Sequence, residues 1–263
     1  MFCSAAGRNG DFSLKRLTAE VDADKTGHVQ ISGGDPLLKD PAELLALLAH
    51  CRKKGKVIEF QTNAVLIMQY DPERLKLLCR LVDFFNVNFS AHTPALDVEV
   101  TGVPDGFARR IESIKHLAGL GSKVRLTYIV HKANVAHCRE FVDFVAQALP
   151  MVAWIQFSYV KGMGRAKGND TIIPRFADAA GPLNAAMDRC RELGLRYDVD
   201  HIPACFVRGH LDHHVDYQKM LRSQTGVFLK EKQKTAECDD CALRAHCPGP
   251  RTDYVELYGG LHA

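Results

Sequence analysis

Three cysteines near the end of the chain are spaced closely enough to share one inorganic centre: Cys238-Asp-Asp-Cys241-Ala-Leu-Arg-Ala-His-Cys247. A two-residue gap followed by a five-residue gap lets soft thiolates converge, which suits zinc or an iron-sulfur cluster. Cys205, in Ile202-Pro203-Ala204-Cys205, lies well upstream of them. Cys3, beside Phe2, stands without a second cysteine near it in sequence. Cys51, Cys79, Cys138 and Cys190 are widely separated near the ends of helical patterns and read as small buried hydrophobes. Nine cysteines, an odd number, with no secretion signal argue against a disulfide framework.

Other candidate chemistry falls between these ends. In Gly33-Gly34-Asp35-Pro36, two glycines let backbone amides approach a ligand and Asp35 can accept from an ammonium group; a tight turn with an exposed aspartate is the equal alternative. Alternation along Asn86-Val87-Asn88-Phe89-Ser90 puts Asn86, Asn88 and Ser90 on one side, for a polar ligand or an internal hydrogen-bond network. Arg125, amid Val124, Leu126, Tyr128 and Ile129, implies a bound carboxylate or a paired internal acid. The glycines of Lys161-Gly162-Met163-Gly164 would let the chain pass close to a flat ligand, or form a simple mobile loop. His210, His213 and His214 read as surface or loop chemistry, and Tyr254 and Tyr258 as packing residues. No residue is assigned a catalytic role.

The elements that would position these groups are periodic. Strand patterns occur at Val29–Ser32, Lys56–Thr62, Phe84–Ser90, Lys123–Val130 and Trp154–Val160, with a sixth at Arg196–Asp200. Helical patterns at Ala42–Lys53, Pro72–Leu81, Phe107–Leu120, Val135–Leu149 and Ile173–Leu193 alternate with them, which predicts βαβ units and a parallel sheet. Chemistry in such folds belongs at the strand ends. No proline- and glycine-rich linker interrupts the first 200 residues, so residues 1–200 read as one βα domain and 201–263 as a cysteine-bearing extension.

Composition is that of an ordinary globular protein, with 46% hydrophobic and 25% charged residues in 263. Lys and Arg exceed Asp and Glu by only 34 to 31, which gives no clear nucleic-acid or anionic-membrane signal. Neither a membrane span nor a signal peptide is evident, and the expected location is cytoplasmic.

In combination, these segments resemble the radical S-adenosylmethionine superfamily over nearly the whole chain. Its members bind a catalytic [4Fe-4S] cluster through Cys-x3-Cys-x2-Cys after the first barrel strand. Phe2-Cys3-Ser4 is similar to the end of that motif; the first two cysteines and the first strand would lie upstream of Met1. Ile31-Ser32-Gly33-Gly34-Asp35-Pro36 is similar to the family's Gly-Gly-Glu-Pro segment, which receives the amino group of S-adenosylmethionine, with Asp35 one methylene shorter. By resemblance, Asn88 and Ser90 face the ribose or methionine part, Arg125 the methionine carboxylate, and Val160 to Met163 the adenine. The tail resembles the SPASM or twitch-like auxiliary-cluster domain, Cys-x2-Cys-x5-Cys-x3-Cys, of members that modify peptides or proteins. Cys238, Cys241 and Cys247 match, Arg251 occupies the fourth position, and Cys205 would complete the set.

The resemblance implies a partial (β/α) barrel lacking its first strand, with a small auxiliary cluster-binding extension. It implies an oxidoreductase that uses S-adenosylmethionine and a reduced [4Fe-4S] cluster to generate a 5′-deoxyadenosyl radical, a peptide or protein substrate, and an electron donor such as flavodoxin or ferredoxin. Zinc is the alternative for the tail. The other reading is a non-catalytic iron-sulfur or zinc module that retains the fold, because the chain as given lacks two of the three catalytic-cluster cysteines.

Overall fold

The computed structural model describes Cys3 and residues 12–261. Six strands form one sheet in sequential order: β1 (His28–Ile31), β2 (Val57–Thr62), β3 (Phe84–Asn88), β4 (Val124–Val130), β5 (Trp154–Tyr159) and β6 (Tyr197–Asp200). Every neighbouring pair is parallel, so each strand must return through a crossover. After α1 (Leu14–Ala23), the crossovers are α2 (Pro41–Lys53), α3 (Pro72–Leu81), the pair α4 (Pro94–Thr101) and α5 (Gly106–Gly119), α6 (Cys138–Ala148) and α7 (Phe176–Glu192). The sheet does not close: β1 and β6 do not pair, and the architecture is an open half-barrel of the expected α/β class.

Local chemistry sets the helix starts. Asp40 caps α2 by accepting from Ala42 N and Glu43 N, both at 3.0 Å, and Asp71 caps α3 by accepting from Arg74 N at 2.9 Å. Each is followed by proline, whose fixed φ suits the first turn. Pro174 keeps α7 from beginning at Ile173, and the first turn expected of α6 is instead a 3-10 segment, Val135–His137. The sequence reading passes over α1, with Leu14, Leu17 and Val21 at helical spacing, and α4, capped by Thr93.

Alternation along the strands separates two faces. Ile58, Phe60, Phe85, Val87, Leu126, Tyr128, Ile155, Phe157 and Val199 are buried in one apolar cluster with Leu44, Leu48, Leu78, Ile114, Phe141, Leu183 and Met187 of the helices. Each fully buried side chain of this size contributes about 1.5–3 kcal/mol. The opposite, concave face carries the polar residues.

The two sheet edges differ. β1 is half exposed along its length. Beside β6, His214 forms a parallel bridge to Val199, and the His213 ring donates from Nδ1 to the Tyr197 carbonyl at 3.0 Å. His210 meets the Tyr197 hydroxyl at 2.8 Å, so all three histidines serve this edge. The tail continues through α8 (Val215–Leu221), α9 (Val227–Lys230) and α10 (Thr252–Tyr258). Tyr254 of α10 stacks on Phe176 at 3.7 Å and its hydroxyl accepts from Phe176 N at 3.1 Å. Tyr258 donates to the Ile173 carbonyl at 2.6 Å, and both tyrosines act as packing residues.

Candidate functional site

The concave face is built around Glu59, which is 3% exposed. Its Oε1 accepts from Arg125 Nη2 at 2.5 Å and from Gln30, Gln61 and Asn86 side-chain amides at 2.9 Å each. Register makes this convergence possible, because Gln30 pairs with Glu59 while Gln61, Asn86 and Arg125 lie in one row across β2, β3 and β4. Thr127 then donates to Asn86 Oδ1, and Gln156 Nε2 donates to Asp200 Oδ2 at 3.0 Å. Arg125 is thus paired with an internal acid, its guanidinium also 5.1 Å from the Phe84 ring centroid.

The strand-end loops lie above this network. Gly33 has φ +127°, and open space surrounds the positions where Cβ atoms on Gly33 and Gly34 would stand. Asp35 Oδ1 accepts from Leu37 N at 3.1 Å, while its Oδ2 accepts from Thr62 Oγ1 at 2.8 Å and Asn63 N at 3.2 Å. Its short side chain is therefore already engaged, with one lone pair left over. Asn88 is exposed, and buried Ser90 accepts from Ile129 N at 2.8 Å. Asn134 clamps this end: its Nδ2 donates to the carbonyls of Ser90 at 3.1 Å and Ile129 at 2.8 Å. Met163 is half-buried in the loop after β5, where the Cys3 carbonyl accepts from Arg165 N at 3.4 Å. That contact puts exposed Cys3 at the same end of the sheet.

At β6, Asp198 and Asp200 share the concave face. Asp198 is pushed up to about 6 by burial and by Asp200, against the opposing pull of Arg125, Arg196 and His213. The Oδ1 atoms of both aspartates and Nδ1 of His201 are buried without a hydrogen-bond partner among the described residues. His201 holds a left-handed φ of +63°, and burial, followed by Lys161 and Lys232, pushes its imidazole well below its usual range.

Cys205, Cys238, Cys241 and Cys247 all line one cavity of about 350 Å³ at the tail, with Arg208, Lys234 and Arg244. Burial, then the neighbouring Cys247, Cys241 and Cys238, pushes the Cys205 thiol up to about 11. Burial also raises Cys247, while the backbone N–H groups of Gly249 and Ala204 directed at its sulfur act in the opposite sense. Gly249 is required by geometry: its φ is +90°, and a Cβ there would sit 2.1 Å from the Gln233 carbonyl oxygen. Among the described residues no three His, Cys, Asp or Glu side chains form a group that could hold a metal ion. The other cysteines lie elsewhere, with Cys51, Cys138 and Cys190 buried and Cys79 partly so.

The family profile described as "Radical SAM superfamily" matches residues 2–145. The chain belongs to the radical SAM superfamily. No curated protein matches it. Among solved structures, Streptococcus suis SuiB bound to precursor peptide SuiA shares 15% identity and a TM-score of 0.66, over 99% of this chain and 70% of SuiB. The enzyme anSMEcpe with bound AdoMet and Kp18Cys peptide shares 15% identity with a TM-score of 0.57, over 81% of this chain and 58% of that one. A domain of the pyruvate-formate lyase-activating enzyme from Bacteroides vulgatus ATCC 8482 shares 15% identity and a TM-score of 0.50, over 66% of this chain and 99% of that one. At these identities the likeness is one of fold. No helix among the described residues is long and apolar enough to cross a membrane.

As a radical SAM chain, it presents two different matches between residues and cofactors. At Gly33 and Gly34 the backbone is open, and Asp35 keeps one lone pair beside it, so an ammonium group such as that of S-adenosylmethionine could be received there. Four cysteines line one cavity at the tail and are the donor type a thiolate-ligated cluster takes, although as placed no three of them converge on one metal position. Cys3 does not fit the catalytic cluster by itself, since it offers one thiolate of three. Reading the sequence missed Glu59, Asn134, Asp198 and Asp200 as site-building residues. Polar residues at a spacing of two inside a buried strand, as in Glu59 and Gln61 or Asp198 and Asp200, are the signal that would have found them.

Proposed function

We propose that this chain is the S-adenosylmethionine-binding half-barrel and auxiliary-cluster segment of a radical enzyme that modifies a peptide or protein. The observation that carries this reading is the tail cavity with its four cysteines, joined to a superfamily half-barrel. In that reading residues 1–200 bind the cofactor and 201–263 hold the auxiliary cluster. When bound, a reduced cluster and S-adenosylmethionine supply hydrogen abstraction by a 5′-deoxyadenosyl radical.

The chain's own residues orient and shield. Asp35 and the Gly33-Gly34 backbone would take the amino end of the cofactor, Asn88 and Ser90 the ribose or methionine part, and Val160 to Met163 the adenine. Arg125 is already occupied by Glu59, so a role toward the methionine carboxylate would require that pair to open. The peptide substrate is supported by the fold shared with SuiB and anSMEcpe, both of which have been solved with peptides. A flavodoxin or ferredoxin would supply the electrons.

Iron-sulfur is favoured over zinc at the tail because the chain belongs to the radical SAM superfamily. The tail cysteines would equally serve a second reading, a cluster-binding module without radical chemistry. Anaerobic reconstitution separates the two. Both predict iron and sulfide at the tail, and replacement of Cys205, Cys238, Cys241 and Cys247 should abolish it; unchanged cluster content would sink the assignment. Formation of 5′-deoxyadenosine with dithionite and S-adenosylmethionine would then select the enzyme over the module.

A further inference from the structure

Arg251 stands where the resembling tail motif has its fourth cysteine, and its surroundings give it a different task. It is 3% exposed, and each of its three guanidinium nitrogens meets one of two acids. Nη1 donates to Glu231 Oε2 at 2.5 Å, Nη2 to Asp253 Oδ2 at 2.6 Å, and Nε to both Asp253 oxygens at 3.1 Å. Both acids also reach the loop after β5. Asp253 Oδ2 accepts from Gly162 N at 3.1 Å, and Glu231 Oε2 lies 3.5 Å from Lys161 Nζ. A Cβ on Gly162 would come within 3.0 Å of Asp253 Cβ, so the contact is close.

The backbone extends this link to the cysteine cavity. Lys232 and Arg251 form an antiparallel bridge, Gln233 N donates to the Pro250 carbonyl at 3.0 Å, and Thr252 N to the Glu231 carbonyl at 3.0 Å. At one end of this short clip, Lys234, Cys247 and Gly249 line the cavity. At the other, Glu231 and Asp253 grip Lys161 and Gly162. Whatever fixes Cys247 therefore fixes the clip, and the clip fixes the loop.

We propose that Arg251 and Asp253 are positioning residues that carry occupancy of the tail cysteines to the loop after β5, so that loading the tail tightens binding of the adenosine part of S-adenosylmethionine. The proposal rests on the cofactor reading of Val160 to Met163 given above. Its physical basis is prepaid ordering: a loop already held by the loaded tail loses less freedom when the ligand arrives. Reciprocity follows, because two ligands that favour one arrangement strengthen each other equally.

The test uses the full chain carrying Cys3→Ser, so that iron resides only at the tail. S-adenosylhomocysteine is titrated calorimetrically into the iron-loaded and metal-free forms, and hydrogen exchange at the Gly162 amide is followed in both. Loading is expected to tighten binding by about fivefold or more and to slow Gly162 exchange. In Asp253→Ala both effects should vanish while iron content stays the same; Asp253→Asn, which keeps an acceptor for the Gly162 N–H, should recover part of them. A merely structural Asp253 would instead lose overall stability with the loading effect intact, and that result would overturn the proposal. So would equal Gly162 exchange with and without iron. If S-adenosylhomocysteine binds neither form while Gly162 still responds to loading, the cofactor reading of the loop fails and the mechanical link stands.

Discussion

Glu59→Ala should destabilise the protein by about 4 kcal/mol. The carboxylate sits on the concave face with four donors on a single oxygen, one of them the guanidinium of Arg125, itself 11% exposed. Removing one partner of a buried ion pair costs about 3–5 kcal/mol, because the remaining charge is left uncompensated. The low end applies here, since Arg125 keeps its contacts with the Phe84 and Trp154 rings. Asn86, which is buried, adds about 1 kcal/mol for its lost acceptor, while Gln30 is exposed and turns to water. The melting temperature should fall by roughly 10 °C at 2–4 °C per kcal/mol. Urea unfolding of Glu59→Ala, Arg125→Met and the double variant forms the assay. The double variant should be at least about 1.5 kcal/mol more stable than the sum of the single changes, because the stranded charge is gone. A loss under about 1 kcal/mol for Glu59→Ala, or strictly additive changes, would refute the pairing.

Further predictions follow from single sites. Asp198 holds its proton up to about pH 6 in the folded state, against an ordinary value of 3.8, so the folded state binds more protons between those values and stability declines as pH rises from about 4 to about 6. Asp198→Asn should therefore match the parent near pH 4 and exceed it at pH 7 by at most about 3 kcal/mol; a difference that does not change with pH in urea titrations would contradict this. Asn134→Ala removes two side-chain hydrogen bonds that tie the Ser90 and Ile129 carbonyls and one that receives His131 N, and should cost about 2–4 kcal/mol in urea unfolding. Gly249→Ala places a Cβ against the Gln233 carbonyl at a left-handed backbone position, and should lower iron uptake by the tail with little effect on barrel helicity by circular dichroism.

Much of the fold was legible because the two periodicities are clean. Apolar residues on alternate strand positions and at helical spacing locate all six strands and five of the seven barrel helices. α1 escaped because it comes before the first strand, and α4 because the β3–β4 crossover carries two helices where one was expected. The site was less legible. Gly33-Gly34-Asp35 and the tail cysteines are local patterns that sequence displays directly, whereas the Glu59 network depends on register between strands far apart in the chain. Asn134 was invisible for the same reason: its value lies in reaching two strand ends, which no local spacing records. Arg251 read as a missing ligand, and only its two acid partners and their contacts with the loop after β5 give it another role.

The central claim is that the four tail cysteines hold one iron-sulfur cluster on a radical SAM half-barrel. Mössbauer spectroscopy of the anaerobically reconstituted protein, with chemical iron and sulfide analysis, tests it most directly. About four irons and four sulfides per chain in one [4Fe-4S] signal, sharply reduced by Cys205→Ala alone, is the expected result. A single tightly bound zinc, or iron content indifferent to Cys205, would contradict it.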